Sequence, residues 1–177
     1  PDAYKVNIYT FHAFCNDVIQ ENLSQFEKTA LDPVSDLEKI ELFKELIDSF
    51  PKNHPLKRYR GDVYFEINNL DRLFSTMKKE GWTADFILEK VDIKKEKLEE
   101  ETERMEKLRA AVNEFDRFQT LMRKKNRYDF DDMITWVIKA FEENKNLLAG
   151  YQEQFLYLLV DEFQDSSGTQ NRIVELL

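Results

Sequence analysis

The chain has few of the residues that punctuate or staple small folds: one cysteine, four glycines and four prolines in 177 residues. A single Cys15 excludes an internal disulfide framework and is compatible with a reducing compartment, so the residue is expected in the core. Scarce Gly and Pro beside 34% charged residues argue against a turn-rich sandwich and for long helices. Basic charge is in deficit too. With 26 Lys and Arg against 35 Asp and Glu, the net charge of -9 gives no overall attraction to nucleic-acid phosphates, and any such contact has to use a local patch. No run approaches the roughly 20 apolar residues needed to span a bilayer. Pro1-Asp2-Ala3 shows no signal-peptide pattern, and a cytoplasmic protein with no membrane partner is expected. The chain starts without Met and ends within the amphipathic run Ile173 to Leu177, so it is expected to be a piece of something longer.

What is present centres on one stretch. Phe155 to Val160 is an apolar run of six residues that leads straight into Asp161-Glu162-Phe163-Gln164-Asp165. Its length suits a buried parallel strand better than a helix, and open α/β sheets place chemistry at the carboxyl ends of such strands. Two adjacent carboxylates there can divide the work of metal-assisted hydrolysis, Asp161 holding a hard cation and Glu162 orienting or deprotonating water. The plainer alternative is a turn, with Asp165, Ser166, Ser167 or Thr169 capping a helix through Arg172 to Leu177.

Upstream, Tyr4 to Tyr9 alternates like a short strand, with Val6 and Ile8 on one face. Thr10 is a plausible cap for a helix over Phe11 to Phe26 whose apolar face is Phe11, Phe14, Cys15, Val18, Ile19 and Leu23. Ser35 and Glu38 can form a capping box for a helix reaching Phe50, with Leu37, Ile40, Leu42, Phe43, Leu46 and Ile47 as its stripe. Lys52, Lys57, Arg58 and Arg60 around Tyr59 read either as a single-strand nucleic-acid surface or as a solvated loop. Asn69 to Lys79 is amphipathic and stops at Gly81, and Thr83 caps a short helix to Val91. Lys94 to Arg127, free of Gly and Pro, is expected as one long helix. Leu98, Met105, Val112, Leu108, Phe115 and Met122 form a coiled-coil-like seam along it, packed on neighbouring helices or, alternatively, forming a dimer zipper. Its basic end, Arg123 to Arg127, complements the helix dipole. Asp129 is an N-cap, with Asp131 and Asp132 in the first turn; capping and dipole compensation account for all three carboxylates without a metal.

Leu158 to Gln170 closely resembles the nucleotide-hydrolysis motif of the UvrD/Rep-like superfamily 1 DNA helicases, Asp-Glu-aromatic-Gln-Asp after an apolar strand. Thr10 to Cys15 looks like a DNA-contacting motif of the same family, and Tyr128 to Ile134 resembles the Asp-Phe-Asp-Asp segment that precedes the hydrolysis motif. The three occur in the family's order. The resemblance implies ATP and magnesium as cofactors in the complete protein, with Asp161 holding magnesium through its water shell, Glu162 activating the attacking water, and Gln164, Asp165 and, more weakly, Gln170 coupling the nucleotide site to DNA. It implies that Thr10, Phe11 and His12 lie near the backbone of a single strand, and that the partners are single-stranded DNA or duplex-single-strand junctions together with repair or recombination proteins.

The fold so implied is mostly α: a helical insertion subdomain, 27–127, flanked by strand-helix pieces of an incomplete RecA-like α/β (P-loop NTPase) domain, 1–26 and 128–177. No Gly-x-x-x-x-Gly-Lys-Ser/Thr occurs, and Gly61, Gly81, Gly150 and Gly168 are too scattered to build that phosphate cradle. The family's second motor domain, which supplies an arginine to the transferring phosphate, has no counterpart here either. The expectation is therefore an ATP-dependent helicase of which these residues alone bind no ATP tightly and are inactive. The alternatives are a helical protein-interaction module without nucleotide-dependent activity, and the motor half of a helicase-nuclease.

Overall fold

Side-chain caps set most of the helix starts. In the computed structural model, which describes residues 6–26, 32–58, 61–95 and 102–177, the Thr10 hydroxyl accepts from the Ala13 amide and opens α1, Phe11–Glu21. After a turn at Asn22 comes α2, Leu23–Phe26. Ser35 and Glu38 form the expected capping box of α3, Asp36–Asp48. Next are α4, Ile67–Glu80, and α5, Ala84–Lys95, where Thr83 accepts from the Phe86 amide. Gly81 closes α4 at φ 66°, a left-handed position that a side chain would strain. α6, Thr102–Asn113, and α7, Phe115–Lys124, follow, then α8, Phe130–Glu143, α9, Lys145–Gln154, and α10, Gly168–Leu176.

The chain divides into two units, residues 1–30 with 129–177 and, inserted between them in sequence, residues 31–128. The core of the inserted unit is aromatic. Phe43 stacks on Phe118 at 4.2 Å, and Phe74 lies 5.8 Å from Phe43 and 5.3 Å from Phe115. Leu42, Leu46 and Ile47 of α3, Leu70 and Met77 of α4, Val91 of α5, Val112 of α6 and Met122 of α7 complete it. The stripe expected on α3 is narrower than its spacing suggested, because Leu37 and Ile40 are exposed.

The two ends of this unit are paired. β1, Asp32–Pro33, and β2, Arg127–Tyr128, run parallel, with Asp32 opposite Arg127, and the Val34 amide donates to the Tyr128 carbonyl at 2.7 Å. Arg127 adds a side-chain clasp. Its guanidinium donates to Glu38 at 2.8 and 2.9 Å and to Asp32 at 3.3 Å, while Glu38 also accepts from the amide and hydroxyl of Ser35. The Ser35 amide first, then Arg127 and the Ser35 hydroxyl, hold the Glu38 carboxyl down to about 2.

The other unit is built on α8, which packs against α1, α2, α9 and α10. Phe14, Cys15, Val18 and Ile19 of α1 are buried, as are Met133, Ile134, Val137 and Phe141 of α8, Tyr151 of α9 and Ile173 of α10. Burial pushes the Cys15 thiol up to about 12, so it behaves as a small core hydrophobe. The Tyr151 hydroxyl donates to Glu21 at 2.7 Å and accepts from the Asn22 side-chain amide at 3.1 Å, tying the end of α1 to α9.

Three expectations need correction. The single long helix over 94–127 is broken: Lys94 and Lys95 belong to α5, and α6 and α7 are separate, meeting at Glu114. There the Glu114 amide turns back to Ala111 while its carboxylate meets His54 at 3.5 Å. Restarting the helix brings Phe115 and Phe118 onto Phe74 and Phe43, so packing outweighs propensity. Met105, Leu108 and Phe115 of the seam pack on this core, and Leu98 lies outside the described residues. The helix over 11–26 is likewise interrupted at Asn22, whose side chain donates to the Val18 carbonyl.

The third correction concerns the α/β pieces. Residues 6–9 and 155–160 form no strand, and β1 and β2 are the only strands among the described residues. A strand is defined by its ladder, and neither segment has a neighbouring strand to pair with among the described residues. Tyr4 and Lys5 lie outside them. The apolar runs are consequently uncovered, with Leu156, Tyr157 and Leu159 at 78, 91 and 97% exposure and Ile8 at 89%. No helix among the described residues is long and apolar enough to cross a membrane.

Phe43→Ala, which empties the aromatic cluster, is expected to cost about 3–5 kcal/mol in stability, measured by denaturant unfolding; a loss under about 1 kcal/mol would mean the rings are not the core of that unit. The clasp gives a pH signature. The Glu38 carboxyl is lower in the folded than in the unfolded chain, so its stabilisation is full above about 4.5 and is lost as pH falls toward about 2. Thermal unfolding of wild type and Glu38→Gln is therefore expected to differ at pH 6 and to converge toward pH 2. A difference that does not change with pH would contradict the clasp.

Candidate functional site

The acidic stretch is a tight turn between α9 and α10. Phe155 leaves α9 with its ring 6.0 Å from Phe14 and 6.5 Å from Tyr151, which anchors the segment before it runs exposed to Val160. Asp161 and Glu162 then reverse the chain. Glu162 has φ 50° and ψ 40°, left-handed backbone that a residue with a Cβ adopts at a cost. The Asp161 carboxylate accepts from the Glu162 amide at 3.0 Å, and the Gln164 side-chain amide donates to the Glu162 carboxylate. A 3-10 turn, Phe163–Asp165, follows, with the Asp165 amide donating to the Glu162 carbonyl at 2.8 Å.

This turn is held from behind. The Ser166 hydroxyl lies within reach of the Phe163 carbonyl and the Asn171 amide oxygen, and Ser167 opens α10 as a cap. Gln170 closes that capping box, its side-chain oxygen accepting from the Ser167 amide at 2.9 Å. Arg172 clamps α10 to α8 through Glu142 at 2.8 Å, and Ile173 is buried beneath. Asp161, Glu162, Phe163, Gln164 and Asp165 all remain exposed. Three carboxylates and a carboxamide are thus presented to solvent on a turn held by local hydrogen bonds.

The Thr10-Phe11-His12 junction sits at the start of α1. Thr10 caps the helix, as expected, and its hydroxyl keeps its own proton to donate elsewhere. Phe11 is half-buried. His12 turns toward the start of α8, with its Nε2 3.8 Å from the Asp131 carboxylate and its ring 6.2 Å, edge to face, from Phe130. α8 begins with the expected box, Asp129 accepting from the Asp132 amide at 3.2 Å and Asp132 accepting from the Asp129 amide at 3.0 Å. The turn and the junction are separate places, connected through α8, which packs on both α1 and α10.

Capping and dipole compensation account for Asp129, Asp131 and Asp132 from the sequence alone. The one signal that points to this turn is the resemblance of the Tyr128 to Ile134 segment. In the inserted unit, the basic cluster has lost two of its cations to internal contacts. The Lys57 ammonium donates to the Asp48 and Phe50 carbonyls, and Arg58 lies 3.7 Å over the Phe65 ring while pairing with Glu66 at 3.2 Å. Tyr59 and Arg60 lie outside the described residues.

Along the chain, the Thr10-Phe11-His12 junction, the inserted helical unit, the capped helix α8 and the acidic turn follow in that order. The whole chain, residues 1–177, matches the family model of the UvrD/REP helicase N-terminal domain, and the chain belongs to that family. It is 31% identical over 188 residues to a probable DNA helicase II homolog of Mycoplasma genitalium, a match covering 99% of this chain and 23% of that protein. Over 60 residues, 34% of the chain and 8% of the relative, it is 43% identical to the ATP-dependent DNA helicase PcrA of Leuconostoc citreum. It is also 34% identical over 74 residues to an ATP-dependent helicase/nuclease protein of Streptococcus thermophilus, covering 41% of the chain and 6% of that relative. The chain thus spans less than a quarter of the length of these relatives.

Proposed function

We propose that these residues form the part of an ATP-dependent DNA helicase or translocase that carries the water-activating carboxylate and one contact to the tracked single strand. The observation that carries the reading is the turn at Glu162, a strained backbone position presenting two carboxylates side by side. Glu162 orients the attacking water and takes its proton, and its carboxylate is already steered by the Gln164 amide. Asp161 is the cation-side carboxylate. Asp161 would hold magnesium, a hard cation suited to carboxylate oxygen; among the described residues no group of three or more His, Cys, Asp or Glu side chains could hold a metal. When bound, magnesium offsets the negative charge that builds on the transferring phosphate.

Gln164 and Asp165 pass a change at Glu162 into α10, a reading supported by the 3-10 turn they share with Phe163 and by the hydrogen bonds of Ser166 and Ser167 to Asn171 and Gln170. At the other end of α8, the Thr10 hydroxyl and the His12 imidazole are donors suited to phosphate oxygens of single-stranded DNA. Repair or recombination is the expected setting, with duplex-single-strand junctions as the structures acted on. The phosphate cradle and the arginine that complete such a motor come from residues beyond these, so these residues alone bind ATP weakly and are inactive. The local match to a helicase/nuclease protein favours, as a second reading, the motor half of a helicase-nuclease.

In the complete protein, Glu162→Gln is expected to cut ATP hydrolysis by at least about 100-fold with nucleotide binding retained; unchanged turnover would rule out Glu162 as the base. Replacing Thr10 and His12 together by Ala is expected to weaken single-stranded DNA binding and to lower DNA-stimulated hydrolysis. Equal affinity before and after would leave both as packing residues.

A further inference from the structure

The loop between α3 and α4 is closed by one imidazole. His54 stacks on the Phe50 ring at 4.0 Å, with the two planes 26° apart, and its side chain is only 12% exposed. Its two nitrogens have different partners. Nδ1 accepts from the Leu56 amide at 3.3 Å, which turns the loop back and buries Leu56. Nε2 lies 3.5 Å from the Glu114 carboxylate, at the junction where α6 ends and α7 restarts. A ring that accepts at Nδ1 carries its single proton on Nε2, and that neutral tautomer satisfies both contacts.

A second proton changes this. It has to go on Nδ1, where it meets the Leu56 N–H, donor against donor, and the hydrogen bond that closes the loop is lost. The imidazolium is also a charge withdrawn from water. The charged groups that act on it are Glu114 and Arg117 of the junction and Lys57 of the loop itself. Glu114 favours the cation, but it is shared with Arg117 at 3.5 Å, and Arg117 and Lys57 both oppose it. Burial is the largest effect and holds the His54 imidazole below its ordinary value. The neutral ring therefore stabilises the closed loop fully above about 6.5, and this stabilisation is lost as pH falls from there through the lower folded value.

Closure of the loop also fixes a cation. The Lys57 amide donates to the His54 carbonyl at 3.0 Å, and its ammonium donates to the Asp48 and Phe50 carbonyls at 3.2 and 2.9 Å, near the carboxyl end of α3. We propose that His54 is a pH-sensitive latch of the inserted unit. Neutral, it closes residues 51–57 onto the α6–α7 junction; protonated, it releases the Leu56 amide and lets the loop open, which frees Lys57 from the end of α3. The latch needs no nucleotide and no DNA. It acts in a range where the clasp of Arg127 is unchanged, since the Glu38 carboxyl, at about 2, stays ionised there.

The test is hydrogen-deuterium exchange of the complete protein at about pH 7.5 and about pH 5, corrected for intrinsic exchange and read on a peptide covering 51–58, with one covering α4 as control. In the wild type, protection of the loop peptide is expected to fall severalfold between the two, with a ceiling of about 30-fold for one imidazole titrating below about 6.5. The α4 peptide is expected to keep its protection. His54→Asn, whose side-chain oxygen can accept from the Leu56 amide and takes up no proton, is expected to protect the loop equally at both. His54→Ala is expected to leave the loop open at both. Wild-type protection that does not change with pH overturns the latch, as does a loss in His54→Asn equal to that of the wild type, because another group then titrates. A loop that stays protected in His54→Ala at the higher pH overturns it too, since the imidazole is then not what closes it.

Discussion

A unit inserted into another has to begin and end at one place, and the ion pair of Arg127 with Glu38 is what secures this here. The parallel pairing of β1 with β2 is only two residues long, too little to hold by itself. Arg127 extends it by bridging Asp32 on the entering segment and Glu38 at the start of α3, and Glu38 is in turn fixed by its capping box with Ser35. The entry and exit of the inserted unit are thereby kept close. In the other unit, α1 and α8 pack against each other although over a hundred positions separate their starts.

The same economy of local hydrogen bonds governs the acidic turn. Asp161 restrains the Glu162 amide, Gln164 restrains its carboxylate, and Ser167 with Gln170 fixes the helix that follows. These contacts come from within ten residues of sequence, so the turn keeps its shape although the apolar run before it is unpaired and exposed. Gln170, in this arrangement, is a capping residue whose proposed coupling role works through α10. The helix that follows is anchored on α8 by buried Ile173 and by Arg172 on Glu142.

Features written in short-range chemistry were legible in the sequence. Thr10, Ser35, Thr83, Asp129 and Ser167 are caps because a hydroxyl or carboxylate three residues ahead of an amide is enough to make one. Gly81 ends α4 for an equally local reason. Features that depend on distant partners were not legible. Helix propensity along 94–127 held no hint that His54 and the ring cluster of Phe43 and Phe74 would favour a break at Glu114. The six apolar residues after Gln154 have strand composition, yet composition supplies no neighbour. The side chains of the acidic turn were readable in order, while the left-handed backbone of Glu162 and the meeting of His12 with Phe130 and Asp131 required the fold.

The central claim is that an exposed acidic turn and a strand-contacting junction, joined through α8, belong to one DNA-driven ATP hydrolase. The most direct measurement is steady-state ATP hydrolysis by the complete protein with and without single-stranded DNA. The account predicts slow turnover alone and a severalfold or greater rise as DNA is added. Turnover that is absent under both conditions, or equal in both, would contradict it.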